Sequence, residues 1–492
     1  MHIKMKYIIP VLFLSCILGA CSESLDEINI DPNRVTEIDD AYLFSSAVKN
    51  TFGSVQNERK LQLYFGSQYS HFYVVRNNSG RPHDKYLDYL FTDDYNVAMK
   101  GSFTNAIKYS NKVVSMTSEK GTNNKLRNAM AKVVSICNYT RITDLYGNIP
   151  YTEGGWGDIG VLSPKYDEQE YIYKNMMNTL KECIEIIKNG DPLDGYEDFD
   201  PLFDNHLENW TKFANSMRLR LAIRARFAAP EYSERVIAEC LQDDLIENND
   251  ENARLFSLND AYHYNQWSET WKVMPWKMSK YLVDWLSNSH DPRLTFWVAP
   301  NINGEYKGIE NGMADDLFVT IKWEEISDPA PKLYAGDMPV HFLTAAEVSF
   351  NKAESELIIN GSDANNYYQD GIRQTMSLWN IPLDSIDRFI NEEPEGTLFG
   401  DTENMLRQIG TQKWLSLITN FTEAYSEIRR LDYPVIPKRT DSWLEKGDTD
   451  GYLPKRFLYP LEEISLNPEH VNEAIAQQGP NEITTRVWWD VH

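Results

Sequence analysis

The chain has 492 residues, of which 42% are hydrophobic and 25% are charged, and its formal net charge is −25 at pH 7. This composition is that of an ordinary globular protein and excludes a disordered one. Because so acidic a body repels nucleic acid and anionic lipid headgroups, we expect no nucleic-acid partner and a neutral or cationic ligand.

The N-terminus carries the pattern of a bacterial lipoprotein signal. Lys4 and Lys6 precede an apolar run that ends in Leu-Gly-Ala before Cys21. The run has about a dozen residues, whereas a membrane helix needs ~20. We therefore predict a signal peptide over 1–20, acylation (palmitate) of Cys21, and a flexible tether over 21–38. Lipid on Cys21 would anchor the protein to a membrane.

Apolar residues recur at helical spacing through most of the remaining chain. The predicted helical segments are 39–72, 94–116, 124–145, 167–189, 208–228, 231–242, 343–360, 363–379, 402–419 and 421–431. Between about 243 and 340 this periodicity is lost, and turn-forming residues are interleaved with aromatic ones. We predict one all-α domain over 39–492, built from tetratricopeptide-like helical hairpins packed with this loop-rich, aromatic-rich irregular region.

Aromatic side chains in the loop-rich stretch are the candidate binding residues. A ring on a loop binds a sugar by stacking against the apolar face of a pyranose, while polar side chains bind the hydroxyl groups. The same rings could receive peptide side chains. We predict that Tyr264, Trp267, Trp271 and Trp276 contact a ligand. At least half of all Trp and Tyr side chains should fill the core instead.

The sequence has no motif for catalysis, such as GxSxG, HExxH or a P-loop, so we assign no catalytic residue and no cofactor. Paired carboxylates of a glycoside hydrolase leave no linear signature, so that alternative stays open. No Cys/His cluster indicates a metal site. Residues 448–451 and 194–204 could chelate a structural calcium ion, but neither has the EF-hand spacing.

Three cysteines lie within the body of the chain, namely Cys137, Cys183 and Cys240. Each is part of an amphipathic helical pattern, so we expect buried free thiols rather than a disulfide.

Charged residues within apolar helical patterns predict ion pairs inside the bundle. Arg218, Arg220 and Arg224 recur at helical spacing among leucine and isoleucine. Glu347 and Glu354 are seven residues apart and share a helix face. We expect these carboxylates to be partners of the arginines.

Several segments together resemble the SusD/RagB family of Bacteroidetes outer-membrane lipoproteins, in particular its SusD-like, starch-binding branch. They occur in the expected order at 144–151, 212–222, 342–348, 412–414, 427–434, 454–460 and 486–490. The resemblance spans nearly the whole chain after the signal. The acidic residues Glu23, Asp26 and Glu27 also resemble the export signal of surface lipoproteins.

This resemblance implies a helical fold with tetratricopeptide-like hairpins, held at the cell surface as a lid on a SusC-like TonB-dependent transporter. The family captures nutrients, most often glycans and in some members peptides, without enzymatic activity. The leading interpretation is a lipid-anchored surface protein that binds oligosaccharide and delivers it to such a transporter. Three alternatives stay open: a peptide-binding member of the family, a surface glycoside hydrolase, and a structural adhesin.

Overall fold

The structure is a computed structural model that describes residues 38–54, 56–75, 84–88, 97–260, 263–359 and 361–492. The predicted signal peptide, the acylated Cys21 and the tether up to residue 37 lie outside the described residues. Within those ranges the chain is mostly helical, which confirms the predicted all-α class.

The α-helices are α1 Asp40–Phe52, α2 Ser67–Tyr69, α3 Val97–Ser102, α4 Lys108–Thr117, α5 Lys125–Tyr146, α6 Gln169–Lys188, α7 Leu207–Ala225, α8 Pro230–Cys240, α9 Gln266–Val273, α10 Lys280–Asn288, α11 Arg293–Trp297, α12 Asp315–Phe318, α13 Ala345–Ile359, α14 Ala364–Leu378, α15 Leu383–Glu392, α16 Thr402–Ser416, α17 Phe421–Leu431, α18 Leu461–Leu466 and α19 Pro468–Gln478. Two further segments, Gln56–Gly66 and Phe103–Ile107, are π-helical. Helices α9 to α12, α15, α18 and α19 were not predicted from the sequence.

Local capping explains where the long helices begin and end. The Asn124 side chain accepts a hydrogen bond from the Arg127 N–H and so caps the start of α5. Gly147 ends that helix with φ of 82°, where a Cβ would lie 2.1 Å from the Gln478 Oε1. The predicted helix over 124–145 is therefore confirmed to within about one residue at each end. The predicted segment 39–72 is interrupted instead, because α1 ends at Phe52 and is capped by Gly53.

Successive helices pack as hairpins around two large hydrophobic clusters. Helices α4 to α8 each pack against the next in the chain, and α13 packs closely on α14. Helix α13 also contacts α7 and α16, which joins the two groups of helices. Cys137, Cys183 and Cys240 are free and buried within the first group, as predicted. Burial raises the pKa of each thiol to about 12, so these cysteines are unreactive.

The stretch from 243 to 340 contains short helices, turns and strands rather than long helices. Two antiparallel pairs of strands fasten it to the helical body. Strand β1 (Tyr73–Val74) pairs with β3 (Lys277–Met278), and β2 (Ala253–Leu255) pairs with β4 (Val340–Leu343). The second pair brings the two ends of the loop-rich stretch together.

Buried ion pairs join α5, α7, α13, α16 and α17, and we call this cluster the charge centre. Arg220 on α7 holds Glu347 on α13 through two hydrogen bonds of 2.6 Å. This confirms the predicted partnership between α7 arginines and Glu347. The members of the charge centre are Asp144, Arg220, Arg224, Glu347, Glu354, Lys413, Glu423, Glu427 and Arg430.

The partner of Glu354 differs from the prediction. Glu354 accepts two hydrogen bonds of 2.7 Å from Arg430 on α17 and pairs with Arg226 at 2.6 Å. Arg224 instead holds Asp144 at 2.6 Å and Glu427 at 2.8 Å. Helical spacing identified which residues face inward, but the placement of α17 relative to α13 in the folded chain decides which charges meet.

We expect the contribution of Glu354 to stability to depend on pH. Burial alone would raise the pKa of Glu354, but the Arg430 and Arg226 guanidinium groups outweigh burial and hold it below the ordinary 4.5. The stabilisation is therefore present above about pH 4.5 and is lost as the pH falls towards the folded-state pKa. Urea denaturation should show that the deficit of Glu354→Gln relative to wild type shrinks as the pH falls from about 6 to about 3. A deficit that stays constant over this range would contradict the assignment.

Candidate ligand-binding cleft

A surface cleft of about 280 Å³ lies where the loop-rich stretch meets helix α1. We call it the Tyr264 cleft. Its lining residues are Ser45, Lys49, Gly53, Pro201, Leu255, Phe256, Ser257, His263, Tyr264, Asn265, Gln266 and Val340. It contains one of the four predicted ligand-binding residues, Tyr264.

Asn265 fixes the wall of the cleft that carries Tyr264. Its side chain accepts a hydrogen bond from the Trp267 N–H and so caps the start of α9. The same side chain donates to the carbonyl of Met338 at 2.9 Å, and the Asn265 N–H donates to the carbonyl of Gly336 at 2.7 Å. Tyr264 is therefore held between a capped helix and the segment that leads into β4.

Phe256 is a second aromatic residue that lines the cleft, and it directly follows strand β2. Its side chain is 60% exposed. The guanidinium carbon of Arg254 lies 4.8 Å from the centroid of the Phe256 ring. Phe256 was not predicted from the sequence. It lies in the same loop-rich stretch as the predicted tryptophans, so its location could have identified it.

Polar side chains surround these two rings. Lys49 on α1 is exposed at the cleft, and Gln266 lines it from the first turn of α9. His263 lies at the rim with its Nδ1 2.9 Å from the carboxylate of Asp260. Below the cleft, burial and the nearby Arg254 lower the pKa of His341 to about 4, so that side chain is neutral at pH 7. An exposed ring and a half-buried ring, with an amine, an amide and an imidazole nearby, suit a neutral, hydroxyl-rich ligand.

Trp267 and Trp276 do not lie in the cleft. Trp267 is 1% exposed and stacks on Phe421 with ring centroids 5.0 Å apart, and Trp276 is completely buried beside Tyr73. The expected exposure of these two rings is therefore wrong, because α9 and β3 turn them into the core. A buried ring has no free face on which a sugar could stack.

Trp271 lies between these extremes. It is half-buried and stacks on Tyr334 with ring centroids 4.2 Å apart, while its edge meets Trp276 at 5.0 Å. The stacked partner covers one face of the Trp271 ring. Ligand contact by Trp271 and by Tyr264 stays a prediction.

A second cavity, of about 350 Å³, lies between α3, the loop that follows α5, and α18. Its walls combine aliphatic, proline and polar side chains, and Phe103 is the one aromatic residue among its lining residues. The Tyr264 cleft is lined by two aromatic side chains, Phe256 and Tyr264. It is therefore the better candidate for a ligand that stacks on rings.

Several carboxylates of the two segments that could chelate calcium have partners within the protein, and calcium binding stays a prediction. Asp200 accepts hydrogen bonds from the Leu202 N–H and from the Trp210 indole N–H. Asp448 accepts one from the Asp88 N–H, and Asp450 pairs with Lys438 at 2.8 Å. Within the described ranges, no three His, Cys, Asp or Glu side chains come together as a metal site would require. No helix in that part of the chain is both long enough and apolar enough to span a bilayer.

Fold and cleft together define a class: a helical binding protein of stacked hairpins, with an aromatic cleft at the edge of a loop-rich region. Comparison with known proteins supports this class. A family model described as SusD-like, "Starch-binding associating with outer membrane", matches residues 32–460. The chain therefore belongs to the SusD-like family, as the sequence motifs implied.

Solved structures show the same fold. A structure named as a chitin-binding protein is 25% identical, with a TM-score of 0.81 over 92% of this chain and 100% of that chain. A chitin-binding SusD homolog from Flavobacterium johnsoniae is 20% identical, with a TM-score of 0.78 over 92% and 99%. A SusD-like protein from Bacteroides thetaiotaomicron is 18% identical, with a TM-score of 0.76 over 92% and 99%. A search of curated proteins gave no match.

Proposed function

We propose that this protein captures an oligosaccharide in the Tyr264 cleft without converting it. The observation that carries the proposal is the exposed Phe256 ring, which faces a cleft in a chain of the SusD-like family. The family description names starch, and two proteins of the same fold are named as chitin-binding. Malto-oligosaccharides and chito-oligosaccharides are therefore the first ligands to test.

The chemistry of the cleft suits a sugar chain. The C–H face of a pyranose can stack on Phe256, because burial of two apolar surfaces is favourable and needs no charge. Lys49 and Gln266 can hydrogen-bond to hydroxyl groups at the edge of the same ring. The sequence offers no catalytic motif, which supports binding without turnover.

In this proposal the protein is anchored to the outer membrane by lipid on Cys21, faces the cell exterior, and passes its ligand to a SusC-like TonB-dependent transporter. The signal pattern before Cys21 and the family description support the location. Delivery requires a ligand that leaves the cleft again, so moderate affinity suits this role better than very tight binding.

Phe256→Ala is expected to weaken oligosaccharide binding by about tenfold or more, because it removes the stacking surface, and tenfold corresponds to about 1.4 kcal/mol. Isothermal titration of the full-length protein should measure the loss. The lipid-anchored protein has to be kept in solution with a detergent. This detergent must have no sugar headgroup, since such a headgroup would compete with the oligosaccharide for the cleft.

Phe399→Ala is the matched control. Phe399 is also an exposed phenylalanine, but it precedes α16 and is not among the residues that line the cleft. This variant should bind as wild type does. Equal affinities for wild type and Phe256→Ala, or equal losses of affinity in both variants, would show that the oligosaccharide does not bind in the Tyr264 cleft.

A peptide ligand is the second candidate. The net charge of −25 favours basic peptides over acidic ones, and half-buried rings can receive apolar side chains. Saturable binding of lysine-rich peptides, together with no response to either oligosaccharide class, would favour this candidate.

A further inference from the structure

Arg254 and Phe256 lie on the same face of one extended segment. Side chains two residues apart in a strand point the same way, and β2 spans Ala253–Leu255 directly before Phe256. The register shift in the pairing of β2 with β4 falls between Ala253 and Arg254, before both side chains. The backbone therefore places the guanidinium group beside the ring.

Arg254 is held in this position from a second direction. Its Nη1 donates to the carbonyl of Asn249 at 3.1 Å. The side chain of Asn249 in turn donates to the carbonyl of Gln374 on α14 at 2.9 Å, and the Asn252 side chain donates to Asn249 at 3.1 Å. The cation is thus fastened to a short 3₁₀ turn, Asn249–Glu251, which is itself fastened to the helical body.

We propose that Arg254 is a positioning residue for ligand binding: it covers one face of Phe256 and holds the ring so that the other face is open to the Tyr264 cleft. A cation over a ring face is attracted to the ring and so favours one orientation of it. A ring oriented before the ligand arrives loses less conformational entropy on binding. This inference rests on the proposed function, because it assigns Arg254 a role in the same cleft.

A double-mutant cycle with the full-length protein tests this inference, with maltoheptaose and chitohexaose as probes. Arg254→Met is expected to weaken binding about two- to fivefold, and Arg254→Lys, which keeps a cation, is expected to recover part of the loss. In the Phe256→Ala background, Arg254→Met is expected to cause no further loss, because Arg254 acts through the ring. Thermal unfolding of each variant checks that the fold is kept.

Two results would overturn the inference. The first is a loss of the same size in both backgrounds, which would mean that Arg254 acts without Phe256. The second is unchanged binding by Arg254→Met. A crystal structure of Arg254→Met gives a test that needs no ligand: the Phe256 ring is expected to turn from its present orientation, and an unmoved ring would also refute a positioning role. If the wild-type protein binds neither probe, the proposed oligosaccharide binding is refuted. The role of Arg254 in that binding is then refuted as well.

Discussion

Glu427→Gln is expected to lower the free energy of unfolding by about 3–5 kcal/mol, because removing one partner of a buried ion pair leaves uncompensated charges. Glu427 pairs with Arg224, Arg430 and Lys413, each at 2.8 Å, and all four side chains are buried. Burial alone would raise the pKa of Glu427, but the three cations hold it well below 4.5, so the carboxylate is ionised at pH 7. Urea denaturation at pH 7 measures the effect.

Glu170→Gln is the matched control for this prediction. Glu170 pairs with Lys174 on the exposed surface of α6, where an ion pair contributes less than about 1 kcal/mol. Similar small losses in both variants would contradict the description of the charge centre as the electrostatic link between the helices. A large loss confined to Glu427→Gln would support it.

Trp489→Ala is expected to destabilise the protein by about 3–5 kcal/mol, the usual cost of removing a large buried ring. Trp489 is fully buried, and its indole N–H donates to Asp144 at 3.0 Å. The ring also lies beneath Arg224 and Arg429, with distances of 5.2 and 4.7 Å to the guanidinium carbons. Thermal and urea unfolding should both report the loss.

Trp488→Ala provides the comparison for Trp489. Trp488 is the adjacent residue but is only half-buried, beside Tyr173. We expect a clearly smaller loss of stability for this variant. Trp489 lies beyond residue 460, where the family match ends. Equal losses of stability in the two variants would mean that the contacts of Trp489 with the charge centre add nothing beyond ordinary burial.

The helical body could be predicted from the sequence because its signal is local. Apolar spacing placed α5 within about one residue at each end, and Gly147 marked where it stops. The same spacing identified Arg220 and Glu347 as inward-facing. It could not pair Glu354 with Arg430, because that contact joins residues 76 positions apart and depends on where the fold places α17 relative to α13.

Some helices and both strand pairs could not be predicted, for physical reasons. Helices α9 and α10 have eight and nine residues, too few for a periodic pattern to stand out among turns. The strand pairs β1–β3 and β2–β4 are formed by residues far apart in the chain, so no local signal could reveal them.

The candidate site was predicted only in part. Residue type and location in a loop-rich stretch led to Tyr264, which does line the cleft. The same reasoning led to Trp267 and Trp276, which are buried in the core. Complete burial of a large ring removes the most apolar surface from water and is therefore the most stabilising. Phe256 and its partner Arg254 could be recognised only once β2 had placed them on one face.

The central claim is capture of an oligosaccharide without turnover. Isothermal titration of the full-length protein with malto-oligosaccharides, chito-oligosaccharides and lysine-rich peptides tests it most directly, with chromatography of the recovered ligand. We predict saturable binding of one oligosaccharide class and recovery of that ligand at its original length. Binding of peptides alone, or recovery of shortened oligosaccharides, would contradict the claim.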